Sequence, residues 1–183
     1  MSTGLPDRPV WDTKTRLALL RVVWLILSPW REALSLGRSS GVAEEIITHS
    51  AEETTQWGKE FAKRLKTPVL VLLTGDLGTG KTTLTKGLVS GLGAAKENDV
   101  TSPTFTLLHV YGKRAKVYHA DLYRVESFHD FETLGLEDMF AVPAVAIVEW
   151  SERFALPSPW PQVRVRLEHL GGDTRRISVL DPA

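Results

Sequence analysis

The amino-acid sequence predicts an α/β protein in which a mostly parallel central sheet is flanked by helices and carries an antiparallel C-terminal hairpin. Three observations indicate this class. An apolar run at residues 68–73 leads through a glycine-rich loop into a helical pattern, the order strand, loop, helix. A second apolar run at residues 144–149 is typical of a strand buried on both faces of a parallel sheet. Residues 162–167 alternate apolar and polar side chains, and a Gly-Gly-Asp turn leads into a returning run at residues 175–180.

Length and composition suit one globular domain, because the chain has 183 residues of which 43% are apolar. Its 22 basic residues balance 22 acidic residues, so no strong field attracts nucleic acid or an anionic membrane, and any role on nucleic acid is expected to be indirect. Cysteine is absent, which excludes a disulfide framework, a thiol nucleophile and cysteine-ligated zinc. This composition fits a reducing compartment, and we predict a cytoplasmic protein.

Residues 1–45 differ from the remainder and are predicted to form a flexible or accessory extension, followed by the main domain at residues 46–183. The apolar run Leu17–Leu27 is well short of the roughly 20 residues that span a bilayer. Asp7 and Asp12 interrupt the lead that a signal peptide requires, and no Ala-x-Ala cleavage site follows. Two interpretations stay open: an accessory amphipathic helix, or translated sequence upstream of the true start.

Helix signals surround the first predicted strand. Ser50 and Glu53 have the spacing of a capping box, which marks a helix N-terminus. The positions that follow at helical spacing are expected to face the core: Thr54, Trp57, Phe61, Ala62 and Leu65. After the glycine loop, Gly93 is placed to cap a second helix, whose apolar positions are Leu84, Leu88, Val89 and Leu92.

Between the two apolar runs the sequence predicts another hairpin. Residues 106–111 form an expected strand, residues 112–116 suit a turn, and residues 116–121 return as a strand. Residues 127–140 contain a short helical pattern whose apolar side chains are expected to face the core or a partner.

The glycine-rich loop has the spacing of a phosphate-binding loop, Gly75-x-x-x-x-Gly80-Lys81-Thr82, with the required strand before it and helix after it. Glycines let successive backbone N–H groups turn toward one anion, and the start of the helix adds unsatisfied donors and a partial positive charge. Lys81 is expected to reach the terminal phosphates, and the hydroxyl of Thr82 is expected to bind Mg²⁺. The loop therefore predicts a site for a diphosphate or triphosphate.

Two acidic residues end predicted strands, where open α/β sheets bind their ligands. Asp121 ends the run at residues 116–121, and Glu149 ends the run at residues 144–149, which more closely resembles a Walker B strand. A phosphate loop needs such acids to hold Mg²⁺ and to orient water. His119 lies inside its strand and is interpreted as a hydrogen-bonded core residue that could orient Asp121, rather than as a catalytic base.

Three further features are candidates for the same site. Thr101–Phe105 carries hydroxyls that could approach the γ-phosphate or Mg²⁺, as switch segments of related folds do, and the alternative is a proline turn entering the next strand. Arg124 and Arg153 are candidates for stabilising charge on the phosphates, and the alternative for each is a surface ion pair.

From about Ile47 to Leu180 the sequence resembles a bacterial P-loop ATPase family of tRNA threonylcarbamoyladenosine (t6A) biosynthesis, the TsaE type. The resemblance rests on four motifs in a specific order and spacing: G-D-L-G-T-G-K-T-T at 75–83, S-P-T-F at 102–105, H-A-D-L-Y-R at 119–124 and V-E-W at 148–150. Only the first motif is specific by itself. Residues 1–45 depart from the usual compact start of the family and contain none of the four motifs.

This resemblance implies a P-loop NTPase fold and a Mg²⁺-dependent ATPase that is weak alone and does not itself modify tRNA. It implies a partner, a TsaB–TsaD-type heterodimer, one subunit of which transfers the threonylcarbamoyl group to the adenosine beside the anticodon. Contact with tRNA would be indirect, and no membrane is involved.

The resemblance also implies roles for individual residues. Catalysis is carried by Lys81, Asp121 and Glu149, with Thr82 and Glu149 holding Mg²⁺. Thr48–Ala51 borders the adenine of ATP, so that Thr48 and Ala51 contact the nucleotide. The phosphates are held by Gly75, Gly78, Thr79, Gly80, Lys81, Thr82 and Thr83.

Alternative functions share the phosphate loop. A small-molecule kinase of the P-loop type should carry an arginine-bearing lid over an acceptor pocket, and no segment clearly supplies one. A GTP-binding switch is disfavoured because no Asn-Lys-x-Asp motif is present. A non-hydrolysing, nucleotide-dependent interaction module is the third alternative.

Overall fold

A computed structural model describes residues 41–113, 116–127, 130, 136–156 and 158–180. The apolar run Leu17–Leu27 and much of the helical pattern predicted at residues 127–140 lie outside these ranges. No helix within them combines the length and the apolar character that crossing a membrane requires.

The described residues form one seven-stranded sheet with the order β1-β7-β6-β2-β5-β4-β3. The four central strands, β6, β2, β5 and β4, are parallel to one another, and the remaining three pairings are antiparallel. This arrangement confirms the predicted fold class, including the C-terminal hairpin of β6 and β7. The strands are β1 (Val42–Thr48), β2 (Val69–Thr74), β3 (Leu108–Tyr111), β4 (Val117–Asp121), β5 (Val145–Glu149), β6 (Gln162–Gly171) and β7 (Thr174–Leu180).

Two α-helices cover one face of the sheet, α1 (Ala51–Ala62) and α2 (Lys81–Gly91). The capping box predicted for α1 is present: the N–H of Glu53 donates to Oγ of Ser50 at 3.1 Å, and Oε2 of Glu53 accepts from the N–H of His49 at 2.7 Å. Short 3₁₀ turns occupy Glu97–Asp99, Leu136–Ala141 and Ser151–Arg153.

The two helices meet at backbone distance because glycines line their contact. A Cβ atom on Gly87 would lie 2.2 Å from the carbonyl oxygen of Thr55, and one on Gly58 would lie 2.8 Å from that of Leu84. The first residues of both helices line one pocket, so the N-terminus of α1 lies beside the N-terminus of α2, where the glycine loop ends.

The core lies on both faces of the sheet, as expected for parallel strands that are apolar throughout. The helix side packs β2, β5, β6 and β7 against α1 and α2 through Phe61, Val71, Leu73, Leu84, Leu88, Ile147, Val165, Leu167 and Ile177. The opposite side is filled by Leu70, Leu72, Ala120, Leu122, Met139, Ala146, Val148 and Trp160. Each fully buried leucine on either side contributes roughly 2 kcal/mol to folding.

Two boundaries differ from the sequence predictions. Strand β1 begins at Val42, so the predicted boundary between residues 45 and 46 falls inside a strand that pairs with β7. The V-A-E-E-I-I-T stretch lacks strict alternation because β1 is an edge strand with most positions exposed. The strand predicted at residues 106–111 begins only at Leu108, since Leu107 has a φ of 65° and its N–H bonds to the carbonyl of Pro103.

Candidate functional site

The glycine loop joins the end of β2 to the start of α2 and contains three glycines with positive φ. Gly75, Gly78 and Gly80 have φ values of 134°, 78° and 97°, in the range that side chains with a Cβ rarely adopt. A Cβ on Gly75 would also lie 2.2 Å from the carbonyl oxygen of Leu167. Within the loop, Thr79 donates both its N–H and its hydroxyl to the carbonyl of Asp76. The loop is thus a fixed turn at the N-terminus of α2.

Lys81 lies across this loop and is 4% exposed. Its Nζ donates to the carbonyl oxygens of Gly75 at 2.5 Å and Asp76 at 2.8 Å, and lies 3.7 Å from the ring centroid of Trp150. Burial lowers the pKa of Lys81 below its ordinary value, and nearby carboxylates, first among them Glu149, oppose that shift. The ammonium is therefore held between the loop, an aromatic face and the acids that end the strands.

Glu149, at the end of β5, joins α2 to the strand β4. Its Oε2 accepts from the hydroxyl of Thr82 at 3.0 Å, and its Oε1 accepts from the hydroxyl of Thr85 at 3.3 Å and from Nε2 of His119 at 2.8 Å. The interpretation that His119 orients Asp121 is therefore wrong. Two residues apart on β4, His119 and Asp121 point to the same face, but the imidazole reaches across to the neighbouring strand.

Asp121 ends β4 directly opposite Glu149 in the parallel register. Its Oδ2 accepts from the hydroxyls of Ser102 at 2.6 Å and Thr104 at 2.7 Å, and its Oδ1 accepts from the N–H of Tyr123 at 2.9 Å. The hydroxyls of the predicted switch segment Thr101–Phe105 thus contact an acid of the site. Their approach to a phosphate or to Mg²⁺ stays a prediction.

Both acids adjoin a residue with left-handed backbone. Trp150, immediately after Glu149, has a φ of 59°, and Leu107, whose carbonyl accepts from the N–H of Asp121, has a φ of 65°. For residues with a Cβ such conformations cost on the order of 1 kcal/mol or more each and occur preferentially at functional sites. At Trp150 the turn places the indole against both Lys81 and Tyr123.

A pocket of about 90 Å³ continues from the loop between the start of α1 and the C-terminal hairpin. Ala51 lines it, and its contact with adenine stays a prediction, whereas Thr48 is buried and its hydroxyl pairs with that of Thr54 at 2.7 Å. The complete lining is Ser50, Ala51, Thr54, Gly78, Gly80, Thr83, Asp173 and Arg175. A larger depression of about 370 Å³ is lined by Glu52, Glu53, Thr55, Gln56, Lys59 and Glu97, a mainly acidic set that would repel phosphates.

Asp173 and Arg175 were not foreseen as site residues. Arg175 donates to the carbonyl of Gly78 in the loop at 3.4 Å and to that of Gly172 at 2.9 Å. The sequence around these two residues predicts only a hairpin. The hairpin lies beside the loop because β6 pairs with β2. No local pattern marks this contact.

The two arginines considered for charge stabilisation contact other groups. The guanidinium of Arg124 lies 4.2 Å from the ring centroid of Phe105, which is 82% exposed. Arg153 donates to the carbonyl of Val125 at 3.0 Å. Within the described structure, Arg124 thus contacts the segment before β3, and Arg153 contacts the segment after β4.

The donor set at the helix start fits a hard divalent cation. Thr82 and Glu149 offer a hydroxyl and a carboxylate oxygen 3.0 Å apart, and Mg²⁺ prefers such oxygen ligands. In the described ranges, no group of three or more His, Cys, Asp or Glu side chains could hold a metal alone.

A strand, glycine loop and helix, with acids at the ends of the paired strands β5 and β4, define this chain as an α/β protein of the P-loop NTPase fold. Comparison with known proteins identifies the family: the model for threonylcarbamoyl adenosine biosynthesis protein TsaE matches residues 48–177, and the chain belongs to the TsaE family. It is therefore a protein of threonylcarbamoyladenosine biosynthesis.

Individual relatives agree with this family. The tRNA threonylcarbamoyladenosine biosynthesis protein TsaE of Treponema pallidum is 40% identical over 73% of this chain and 97% of its own length. The protein of the same name from Bacillus subtilis is 37% identical over 72% of this chain and 81% of its own length. A crystal structure of Bacillus subtilis YdiB has 29% identity and a TM-score of 0.61, covering 80% of this chain and 90% of that chain.

Proposed function

We propose that this protein is the ATP-binding and ATP-hydrolysing subunit of t6A formation in tRNA. It acts with Mg²⁺ in the cytoplasm, hydrolyses ATP weakly alone and is activated by a TsaB–TsaD-type heterodimer that performs the transfer. It contacts tRNA only indirectly. The proposal is supported by membership of the TsaE family and by one arrangement of side chains at the loop.

That arrangement joins two regions that are far apart in sequence, the loop with the helix that follows it and the end of β5. The loop after β2, the first turn of α2 and the end of β5 meet where the hydroxyl of Thr82 donates to Glu149 and Nζ of Lys81 lies over Trp150. A glycine turn at a helix N-terminus offers N–H donors to phosphate, and Thr82 with Glu149 offers oxygens to Mg²⁺. A cation at these residues would neutralise charge on the phosphates during transfer.

The residues of the chain divide the work between binding and catalysis. The loop N–H groups and Lys81 bind the β- and γ-phosphates, and Lys81 exchanges its bonds to the carbonyls of Gly75 and Asp76 for phosphate oxygens. Asp121 lies opposite Glu149 and orients the attacking water. The pocket beside Ala51 and Arg175 receives the nucleoside.

The present contacts of Arg124 and Arg153 support the proposal that a partner activates hydrolysis. Phosphoryl transfer needs positive charge on the γ-phosphate beyond that of Lys81 and Mg²⁺. Arg124 stacks on Phe105 and Arg153 bonds to a backbone carbonyl. We infer that docking of the heterodimer either releases one of them or supplies an arginine of its own, and that slow turnover is the property of the isolated chain.

Two measurements test the proposal. Steady-state ATP hydrolysis is measured for the purified chain alone and with the cognate heterodimer, and t6A in tRNA is measured in cells depleted of this protein. We expect faster hydrolysis with the heterodimer and less t6A after depletion. Equal hydrolysis rates with and without the heterodimer would contradict the activation scheme. Phosphorylation of a metabolite without a protein partner would favour a small-molecule kinase.

A further inference from the structure

The two carboxylate oxygens of Glu149 have separate sets of partners. Oε2 accepts from Thr82, the residue at the start of α2 that also carries the hydroxyl for the cation. Oε1 accepts from Nε2 of His119 at 2.8 Å and lies 3.3 Å from the hydroxyl of Thr85, which shares its proton with the carbonyl of Lys81 at 3.0 Å. An ionised carboxylate oxygen accepts about two hydrogen bonds. Oε1 is thus held inside the protein mainly by His119, and Oε2 keeps one free position beside Thr82.

His119 makes this arrangement asymmetric. A carboxylate accepts only, so Nε2 carries the proton that it shares with Glu149. The other ring nitrogen, Nδ1, is buried without a hydrogen-bond partner among the described residues, and the side chain is 0% exposed. Leaving a buried polar atom unpaired costs free energy, and such atoms in folded proteins call for a functional reason. The bond from Nε2 to Glu149 is the side-chain hydrogen bond that orients the ring within the described structure.

We propose that His119 is a positioning residue for the cation site. With Thr85 it occupies Oε1 of Glu149 and so presents Oε2, next to the hydroxyl of Thr82, as the oxygen that meets Mg²⁺. This inference rests on the proposed function as a Mg²⁺-dependent nucleotide-binding protein. Groups that orient a metal ligand in this way change metal affinity about 10- to 100-fold when they are removed.

The test measures ADP binding by calorimetry with Mg²⁺ and with a chelator, because the ratio of the two affinities isolates the contribution of the cation. In His119→Leu the donor is lost, and we expect the ratio to fall about 10-fold or more relative to wild type. His119→Gln keeps an N–H at a similar reach and should retain the ratio within about 3-fold. ADP affinity in chelator should stay within about 2-fold for both variants, since no donor to phosphate is changed.

His109→Leu is the matched control. His109 lies opposite His119 in the antiparallel register of β3 and β4, and bonds to Thr106 and Tyr111 instead of Glu149. We expect it to leave the ratio unchanged. Thr85→Val removes the second donor to Oε1 and should lower the ratio about 3-fold. If His119→Leu does not fold, His119→Asn takes its place, because its shorter amide has no donor at the position of Nε2 and the same fall in the ratio is expected.

The outcomes separate the two proposals. If wild-type protein binds ADP equally with Mg²⁺ and with chelator, the proposed function fails. If wild type shows a Mg²⁺-dependent gain and folded His119→Leu keeps it in full, only the positioning role is overturned. Loss of ADP affinity in chelator as well would mean that His119 serves folding, and would also overturn the inference.

Discussion

Glu149 and Asp121 end neighbouring parallel strands and face each other in register, but different parts of the chain hold them. Glu149 is bonded to Thr82 and Thr85 on α2, the helix that packs at backbone distance on α1. Asp121 is bonded to Ser102 and Thr104, in a segment without helix or strand. One acid is thus fixed to the phosphate-binding unit, and the other is fixed to a loop.

This difference indicates a division of roles. A carboxylate tied to a packed helix has a constant position, as required of a group that holds a cation beside the loop. A carboxylate whose two hydroxyl donors lie on a loop changes its surroundings when the loop changes. We therefore interpret the Glu149 region as the binding half of the site and the Asp121 region as the half that responds to nucleotide or partner. Four predictions test this division, in order of decreasing expected effect.

Lys81→Met should remove the group on which both halves depend. ATP affinity is expected to fall at least about 100-fold, because a buried ammonium that meets phosphate has no replacement. Since burial lowers the pKa of Lys81, the folded state gains little from this charge, and the melting temperature should change by less than about 4 °C. Calorimetry and thermal denaturation measure both quantities. Lys86→Met, which changes a lysine of the same helix outside the loop, is the control and should bind ATP normally.

Glu149→Gln and Asp121→Asn should separate binding from turnover. In Glu149→Gln the negative charge is lost and an amide NH₂ replaces one of the two acceptor oxygens, so we expect loss of the Mg²⁺-dependent gain in affinity and a fall in partner-activated hydrolysis of about 100-fold. Asp121→Asn should lower hydrolysis about 10- to 100-fold while affinity for Mg·ATP stays within about 3-fold. The same loss of affinity in both variants would contradict the division of roles.

Glu149→Gln and Asp121→Asn also test whether t6A formation in cells requires ATP hydrolysis or only nucleotide binding. If Glu149→Gln supported t6A formation as well as wild type, a non-hydrolysing interaction module would be favoured. Levels of t6A in tRNA from cells that carry each variant as the sole copy provide the measurement.

The double change Ser102→Ala and Thr104→Val should loosen the loop without touching the binding half. Two hydrogen bonds to a carboxylate oxygen are lost, each worth about 1.5–3 kcal/mol. We expect faster amide exchange at residues 102–107, hydrolysis lowered about 10-fold and an unchanged Mg²⁺ dependence of ADP affinity. Thr106→Val is the control, because its hydroxyl contacts His109 instead of Asp121. Unchanged exchange in the double variant would show that other contacts hold the loop.

Gly87→Ala should disturb the packing of α1 against α2, the helix whose hydroxyls bond to Glu149. The new Cβ would lie 2.2 Å from the carbonyl of Thr55, so α1 must move, at a cost of about 1–3 kcal/mol. We expect a melting temperature lower by roughly 2–10 °C and ADP affinity reduced only about 2- to 3-fold, with exchange at residues 102–107 unchanged. Gly93→Asn, at a position whose φ of 68° asparagine tolerates, is the control. If exchange in the loop rises with Gly87→Ala, the two halves are coupled.

The sequence predicted those parts of the fold whose signal is local. The capping box at Ser50 and Glu53, the apolar runs that became β2 and β5, and the alternating C-terminal hairpin were recognised because helix and strand periods are visible in adjacent residues. Edge strand β1 was not, because a strand that is exposed and paired on one side needs no regular apolar pattern. The start of β3 was misplaced because the left-handed turn at Leu107 is set by a contact with Pro103.

By itself the sequence determined the chemistry of this protein: a glycine turn that only glycine can form, a lysine and a threonine at a helix start, and two acids at strand ends. Those features depend on backbone geometry and residue type within a few positions. The tertiary structure decided which groups meet. It placed His119 on Glu149, the hydroxyls of Ser102 and Thr104 on Asp121, and Arg175 beside the loop. Such contacts follow from strand order and register, which bring together residues that are far apart in the sequence. No local sequence pattern predicts that these residues are close in space.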